Sequence, residues 1–419
     1  MHVHAGKCLV LPVYRSHIGI LRYITASKIM KALLTTFALA TATVFAAPEK
    51  KEVKPLELGA KAPNFKLEGT DGKFYTLDSF KDAKLLVVVF TCNHCPDARA
   101  SRQRMNTFAK DYAAKGVKMV AISGNDPKAL MPWELGYSVY GDGFEEMKLV
   151  AKEEKYVHPF LYDGEKQEAS LAYGALATPH TFVFNKDREL IYHGRFDNGR
   201  RDPGPASENN VIDIVDAALA GKEIPKEKAI TRPFGCSTKW SWKRSLAAKK
   251  EEEWKALPVT LEALTVEDAK KLAANKTEKI RIINFWSTTC GPCVAEFPEL
   301  IDAYRRYQRR GVELITISLD PKDDQNKVHN FLKKQPLPLS PHGKKALAAE
   351  KRTTNNYHFQ GEDFDGLANA IDAKWAGPMP HTVVFAPGGE VIFRYTGHID
   401  IVEMRRAIVK QLEKKQKAH

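Results

Sequence analysis

Two pairs of cysteines, each separated by two residues, occur in TCNHCPDARA (91–100) and in STTCGPCVAEF (287–297). One turn of helix can bring cysteines so spaced to the Cα separation of roughly 4.4 to 6.8 Å that a disulfide requires. The same spacing could grip a metal or attach a haem. Haem attachment needs a histidine directly after the second cysteine, and Pro96 and Val294 stand there instead, which removes that chemistry. A zinc site needs two more ligands, and the second pair has no third cysteine and no histidines at finger spacing. Around the first pair, His94, His180 and His193 could converge with Cys92 and Cys95, so copper or zinc capture stays open there. Cycling between dithiol and disulfide suits both pairs.

Such chemistry needs a strand to end and a helix to begin at the cysteines. Unpaired N–H groups and the helix dipole at that point stabilise an anion and lower the pKa of the first sulfur. Cys92 and Cys290 are therefore expected as the attacking thiolates. Cys95 and Cys293, one turn in, would close the disulfides, and His94 can donate to the Cys92 sulfur or lie beside it.

The surroundings repeat. Each pair follows a β-branched, aromatic-rich run and precedes a helical pattern. Downstream lie TPHTFVFNKDRELIYHGRFD (178–197) and MPHTVVFAPGGEVIFRYTGHID (379–400), which share Pro-His-Thr, two strands and a Gly-x-x-Asp ending. The offsets between copies are 198 at the first cysteines, 201 at the prolines and 203 at the glycines, so one fold of domain size occurs twice. Alternating strands and helices followed by a strand pair and a closing helix predict α/β domains with a central mixed sheet flanked by helices. The expected organisation is an upstream region and signal at 1–46, a first domain at 47–222, an extension and linker at 223–257, and a second domain at 258–419. Pro179 and Pro380 each open a strand, where proline is disfavoured. Each is either an ordinary trans residue or follows a cis bond, after Thr178 and Met379 respectively.

With 419 residues, 43% hydrophobic and 27% charged, the composition is that of a globular protein with at least two cores. The formal charge of +13 comes from scattered residues, a linker and a tail, without a nucleic-acid-binding motif, so no nucleic-acid partner is expected. The segment MKALLTTFALATATVFAAPEKK (30–51) has a basic start, an apolar run and small residues at Val44 and Ala46, the pattern of a secretory signal. Export across the inner membrane to the periplasm would remove Cys8 and leave five cysteines where disulfides persist.

At these motifs the chain resembles the thioredoxin superfamily twice. NFWSTTCGPCVAEFPEL (284–300) resembles the TlpA/ResA-type thiol-disulfide oxidoreductases. That implies Cys290 as nucleophile, Cys293 as resolving thiol, Glu296 tuning proton transfer and Pro380 cis beside the sulfurs. Asn284 stands where thioredoxin carries a buried aspartate. LGAKAPNFKLEGTDGK (58–73), CNHCP (92–96), YGALATPHTFVF (173–184) and FGCSTKWSWK (234–243) resemble the redoxin or AhpC/TSA, peroxiredoxin-like group. The match departs where Cys92 replaces a peroxiredoxin threonine and Val88 a proline, which favours dithiol exchange over peroxide reduction. Cys236 is either a third redox thiol or a buried free cysteine.

The resulting expectation is an exported thiol-disulfide oxidoreductase with no cofactor beyond its redox-active disulfides. Electrons would run from the Cys290/Cys293 dithiol to the Cys92/Cys95 disulfide. Partners would be protein or small-molecule thiols and disulfides; peroxide and a membrane electron donor are further options.

Overall fold

The computed structural model describes residues 52–417. The expected signal segment and Cys8 lie outside the described residues.

The first apolar run forms the centre of a seven-stranded mixed sheet. In chain order its strands are β1 (Lys66–Gly69), β2 (Phe74–Thr76), β3 (Leu85–Thr91), β4 (Val117–Ser123), β5 (Phe160–Tyr162), β7 (His180–Phe184) and β8 (Leu190–Gly194), with the short β6 (Ala177–Thr178) outside it. Their spatial order is β2-β1-β5-β4-β3-β7-β8. β3 pairs parallel with β4 and antiparallel with β7. Every residue of β3 is buried, as expected for a Val/Leu-rich strand covered on both faces. Leu86, Val88 and Phe90 face one core with Tyr173. Leu85, Val87 and Val89 face the other, against Met105 and Phe108 of helix α1 (Pro96–Ala113) and Val211 and Ile214 of a later helix, Asn210–Leu219. Burying a side chain of this size contributes roughly 1.5–3 kcal/mol, so alternate residues of one strand hold both layers in place.

The second run repeats the plan. β9 (Cys236–Ser237) pairs with β6, and then β10 (Glu262–Leu264), β11 (Ile280–Trp286), β12 (Val312–Ser318), β13 (Asn356–Phe359), β14 (His381–Phe385) and β15 (Val391–Thr396) form a six-stranded sheet. Its order is β10-β13-β12-β11-β14-β15, again with parallel partners on one side of the central strand and an antiparallel pair on the other. Helix α2 (Gly291–Tyr307) contributes Phe297, Leu300 and Tyr304 to one face, and Leu367 and Ile371 cover the opposite face. Each half is thus a mixed sheet flanked by helices.

The halves are docked. The segment 131–140 of the first lies along α2: Tyr307 Oη donates to the Ser138 carbonyl at 2.7 Å, Val139 packs on the second core, and Arg310 stacks 3.5 Å over Tyr137. Arg99 of α1 meets Glu413 near the end of the chain at 3.1 Å. The region 223–257 is ordered as well. Residues 236–240 pack into the first half, and Trp254 is buried in the second, its Nε1 donating to the Pro336 carbonyl.

Candidate redox sites

In the second half, Cys290 and Cys293 form a disulfide with an S–S distance of 1.99 Å and a Cα–Cα separation of 5.3 Å. Cys290 is the N-cap of α2, its Sγ accepting the Cys293 N–H at 3.3 Å. Cys293 is fully buried while Cys290 is partly open, so the outward sulfur is the one that also faces unpaired helix N–H groups. One turn beyond Cys293, Glu296 is buried: Asn284 Nδ2 donates to Oε1 at 2.9 Å and the Ile399 N–H to Oε2 at 3.0 Å. Burial pushes its pKa up to about 7 against these two donors. The Met379–Pro380 bond is cis, and Met379 borders the same core cluster as Cys290.

The first half differs in register. Phe90 pairs with His180 and Phe285 with His381, and the same number of residues separates Phe90 from Cys95 as separates Phe285 from Cys290. Cys95 is the N-cap of α1, as Cys290 is of α2. The two C-x-x-C motifs are therefore offset by three residues. Cys95 occupies the place of Cys290, Ala98 that of Cys293, and Cys92 that of Ser287. The expectation that Cys92 is the helix-mouth sulfur, with Cys95 one turn in, is corrected. Proline is the cause. It disfavours helical backbone in the residue before it and is itself suited to the first helical position. Pro96 directly follows Cys95, which is extended at φ −67°, ψ 126°.

Around Cys95 three chain segments converge. The Thr178–Pro179 bond is cis, and Cys95 Sγ lies 3.0 Å from the Thr178 carbonyl oxygen. Thr178 pairs with Cys236 across β6 and β9, and the Cys236 N–H donates to Cys95 Sγ at 3.2 Å. Cys92 Sγ lies 3.2 Å from the Thr178 hydroxyl and 3.5 Å from His94 Nδ1. Cys92 and Cys95 are sealed, at 2% and 0% exposure, whereas Cys236 is partly open. The Cys236 thiol, the Cys92 thiol and the N–H groups of Ala98 and Cys236 hold the Cys95 pKa far below the usual thiol range, outweighing burial. Burial, then the neighbouring Cys95 and Asp142, push Cys92 well up. Contact with Cys95, then burial, raises Cys236. Cys95 is thus the sulfur whose anion these neighbours favour.

His94 lies beside Cys92, as expected, with the same Nδ1 held by Asp142. Burial opposes its charged form, but Asp142 overrides this and raises its pKa: Nδ1 and Asp142 Oδ2 are 2.7 Å apart, both side chains fully buried. Asp142 also accepts from the N–H groups of Asn93 and His94 and from Asn125 Nδ2. Its pKa falls despite burial because His94 and these donors favour the carboxylate. Of the expected histidine cluster, only His94 comes to the cysteines. Donor atoms of Cys92, His94 and Asp142 lie within 4.8 Å of one another, and His180 and His193 are not in that group. His193 is buried against His180 and Phe182, and its backbone bridges to Ile230. His180 is buried against Phe182, which pushes it down to about 3.

Nothing in the sequence marks Asp142: the loop YGDG (140–143) carries no motif and lies far in sequence from Cys92. The signal for the shifted register was visible in Pro96.

A Redoxin family model matches residues 57–210, and an AhpC/TSA family model matches residues 255–394. The thiol-disulfide oxidoreductase ResA of Oceanobacillus iheyensis is 32% identical over 111 residues, which cover 26% of this chain and 45% of that protein. ResA of Bacillus subtilis is 27% identical over 119 residues, covering 27% of this chain and 51% of that protein. The chain thus spans about half the length of these relatives. Among solved structures, a hypothetical protein of Sinorhizobium meliloti 1021 is similar at 34% identity, covering 46% of this chain and 98% of that one, with a TM-score of 0.39. The chain is a tandem of two thioredoxin-like domains, a Redoxin-family domain followed by an AhpC/TSA-family domain.

Proposed function

We propose that the protein is an exported thiol-disulfide oxidoreductase with a redox-active cysteine site in each domain, and that electrons pass from the second site to the first. The observation that carries this reading is the Cys290–Cys293 disulfide at the mouth of α2, with one sulfur partly open and the other buried. An incoming thiolate would attack Cys290, and Cys293, backed by Glu296 as the proton-holding group, would be released and later re-close the bond. Asn284 is a positioning residue that holds Glu296.

The direction of flow follows from the surroundings of the sulfurs. Donors that stabilise a thiolate favour the reduced form and make its disulfide more oxidising. Cys95 is surrounded by such groups, while Cys290 receives one helix N–H. The second site is therefore the more reducing. Met379–Pro380 would present backbone to a bound thiol segment beside Cys290, whereas at Thr178 that edge is taken by β9. Export to the periplasm rests on the segment 30–46; among the described residues no helix is long and apolar enough to cross a membrane. The substrates are taken to be protein or small-molecule thiols and disulfides.

A Cys293→Ser variant should hold a mixed disulfide with its partner through Cys290. Absence of any trapped adduct under conditions where the wild type cycles would remove the assignment. The fully enclosed Cys95 favours peroxide reduction as a second reading, because a small molecule alone could reach it. Peroxide consumption dependent on Cys95 would select that reading.

A further inference from the structure

The first domain has three cysteines around one point, and geometry alone does not make the C-x-x-C pair its working disulfide. We propose that the redox bond of this domain joins Cys95 to Cys236, and that an external dithiol opens it by attacking Cys236. The inference rests on the oxidoreductase reading above and specifies the sulfur through which that site is addressed.

Three observations lead there. The strand pair Thr178↔Cys236 brings Cys236 onto the cis-proline segment, with its N–H on Cys95 Sγ. Gly235 makes that approach possible. It has φ +114°, and a Cβ there would lie 2.0 Å from the Thr178 carbonyl oxygen and 3.1 Å from Cys95 Sγ. Only glycine combines that backbone with that proximity. The segment is also fastened on its far side: Thr238 Oγ1 donates to the Ala175 carbonyl, and the Lys239 N–H to Asn125 Oδ1.

Access then separates the two possible bonds. Both Cys92 and Cys236 neighbour Cys95. A Cys92–Cys95 bond would join two sealed residues, at 2% and 0% exposure, whereas a Cys95–Cys236 bond includes one that is partly open. Exchange requires attack on an accessible sulfur and runs faster when the leaving thiol has the lower pKa. Attack at Cys236 meets both conditions: with Cys236 bonded to the incoming sulfur, the Cys92 thiol and the N–H groups of Ala98 and Cys236 still favour the departing Cys95 anion.

The electron balance is that of dithiol-disulfide exchange. A thiolate of the external dithiol bonds to Cys236 Sγ; the Cys95–Cys236 bond breaks, and its electron pair stays on Cys95 Sγ. The dithiol's second sulfur, deprotonated, bonds to its first and expels Cys236, which takes a proton. The dithiol becomes a disulfide, and Cys95 and Cys236 become thiolate and thiol. Cys92 is a positioning residue, donating toward the Cys95 anion.

Peptide mapping of the full chain tests this. After oxidation with oxidised dithiothreitol, acid quench and alkylation, trypsin places Cys92 and Cys95 together in residues 85–99 and Cys236 in 229–239. The expected product is these two peptides joined, with the third cysteine alkylated, and the same joined pair in Cys92→Ser. A bond within 85–99 and alkylated Cys236 in the wild type would overturn the proposal. So would loss of the cross-link in Cys92→Ser where circular dichroism shows a folded chain. In Cys236→Ser, any first-domain disulfide should be reduced by dithiothreitol at least roughly tenfold more slowly; an unchanged rate would also overturn it. The Cys290–Cys293 peptide distinguishes the two levels. If it cycles while the first domain forms Cys92–Cys95, only this inference fails; if no cysteine pair cycles, the oxidoreductase reading fails.

Discussion

Replacing Asp142 by Asn should loosen the loop that carries Cys92 and Cys95. In the native protein Oδ1 accepts the Asn93 and His94 N–H groups at 2.9 and 3.1 Å, and Oδ2 takes His94 Nδ1 and Asn125 Nδ2, both at 2.7 Å. An asparagine oxygen can keep the first two bonds. Its NH2 group would then face the Asn125 Nδ2 donor, and the carboxylate that pairs with His94 is gone from a site where Asp142 is 1% and His94 0% exposed. Breaking one side of a buried pair costs about 3–5 kcal/mol. If local opening governs exchange, residues 92–95 should lose about 100-fold or more in amide protection.

The pH dependence gives the sign. His94 is raised above its ordinary 6.5, so its contribution is complete below that value and is lost as pH rises through the folded pKa. Asp142 is lowered below its ordinary 3.8, so its contribution is complete above that value and is lost as pH falls through the folded pKa. The pair is worth most between these ordinary values. In D142N burial, aided by Lys239, outweighs Cys95 and lowers the His94 pKa, so loop protection should rise from pH 5 to 7, opposite to the wild type. Hydrogen exchange by mass spectrometry, expressed as protection factors, reads both effects. Wild-type protection in D142N at pH 6, or the same pH trend in both proteins, would refute the pairing.

Three further outcomes follow from the same geometry. Glu296→Gln should slow reduction of Cys290–Cys293 and flatten its pH dependence near 7, where Glu296 changes charge; stopped-flow tryptophan fluorescence with dithiothreitol measures it, and an unchanged profile counts against the proton-holding role. Gly235→Ala should displace β9 at a cost of about 1–3 kcal/mol for the backbone conformation alone and abolish the Cys95–Cys236 cross-link, while Cys290–Cys293 still forms on mapping. Tyr307→Phe removes the bond to Ser138 at 2.7 Å and should weaken docking of the domains by about 1 kcal/mol, seen as faster limited proteolysis within 131–140.

What the sequence discloses depends on how local the cause is. The two α/β domains follow from β-branched runs such as 85–91 and from the repeated Pro-His-Thr segments, each of which begins with a cis proline in the structure. The second site is also local, because Cys290, Cys293 and Glu296 lie on successive turns of one helix. The first is not. Matching its C-x-x-C to the second by letters gives an offset of 198, whereas strand pairing equates Cys95 with Cys290. Pro96 encodes that shift, since helix geometry begins at the proline and not at the first cysteine. Asp142 and Cys236 reach the site only through tertiary contacts, from a loop without periodicity and from a segment that composition marks as linker. Ile230 of that same segment forms a backbone bridge to His193.

The central claim is that the chain holds two cysteine pairs of different reduction potential. Equilibrating the full protein in dithiothreitol or glutathione redox buffers, quenching with acid and counting alkylated cysteines peptide by peptide measures both potentials in one sample. The account predicts that each domain gains and loses a disulfide reversibly, with Cys290–Cys293 the more reducing. Equal potentials, the reverse order, or a domain whose cysteines never change state would contradict it.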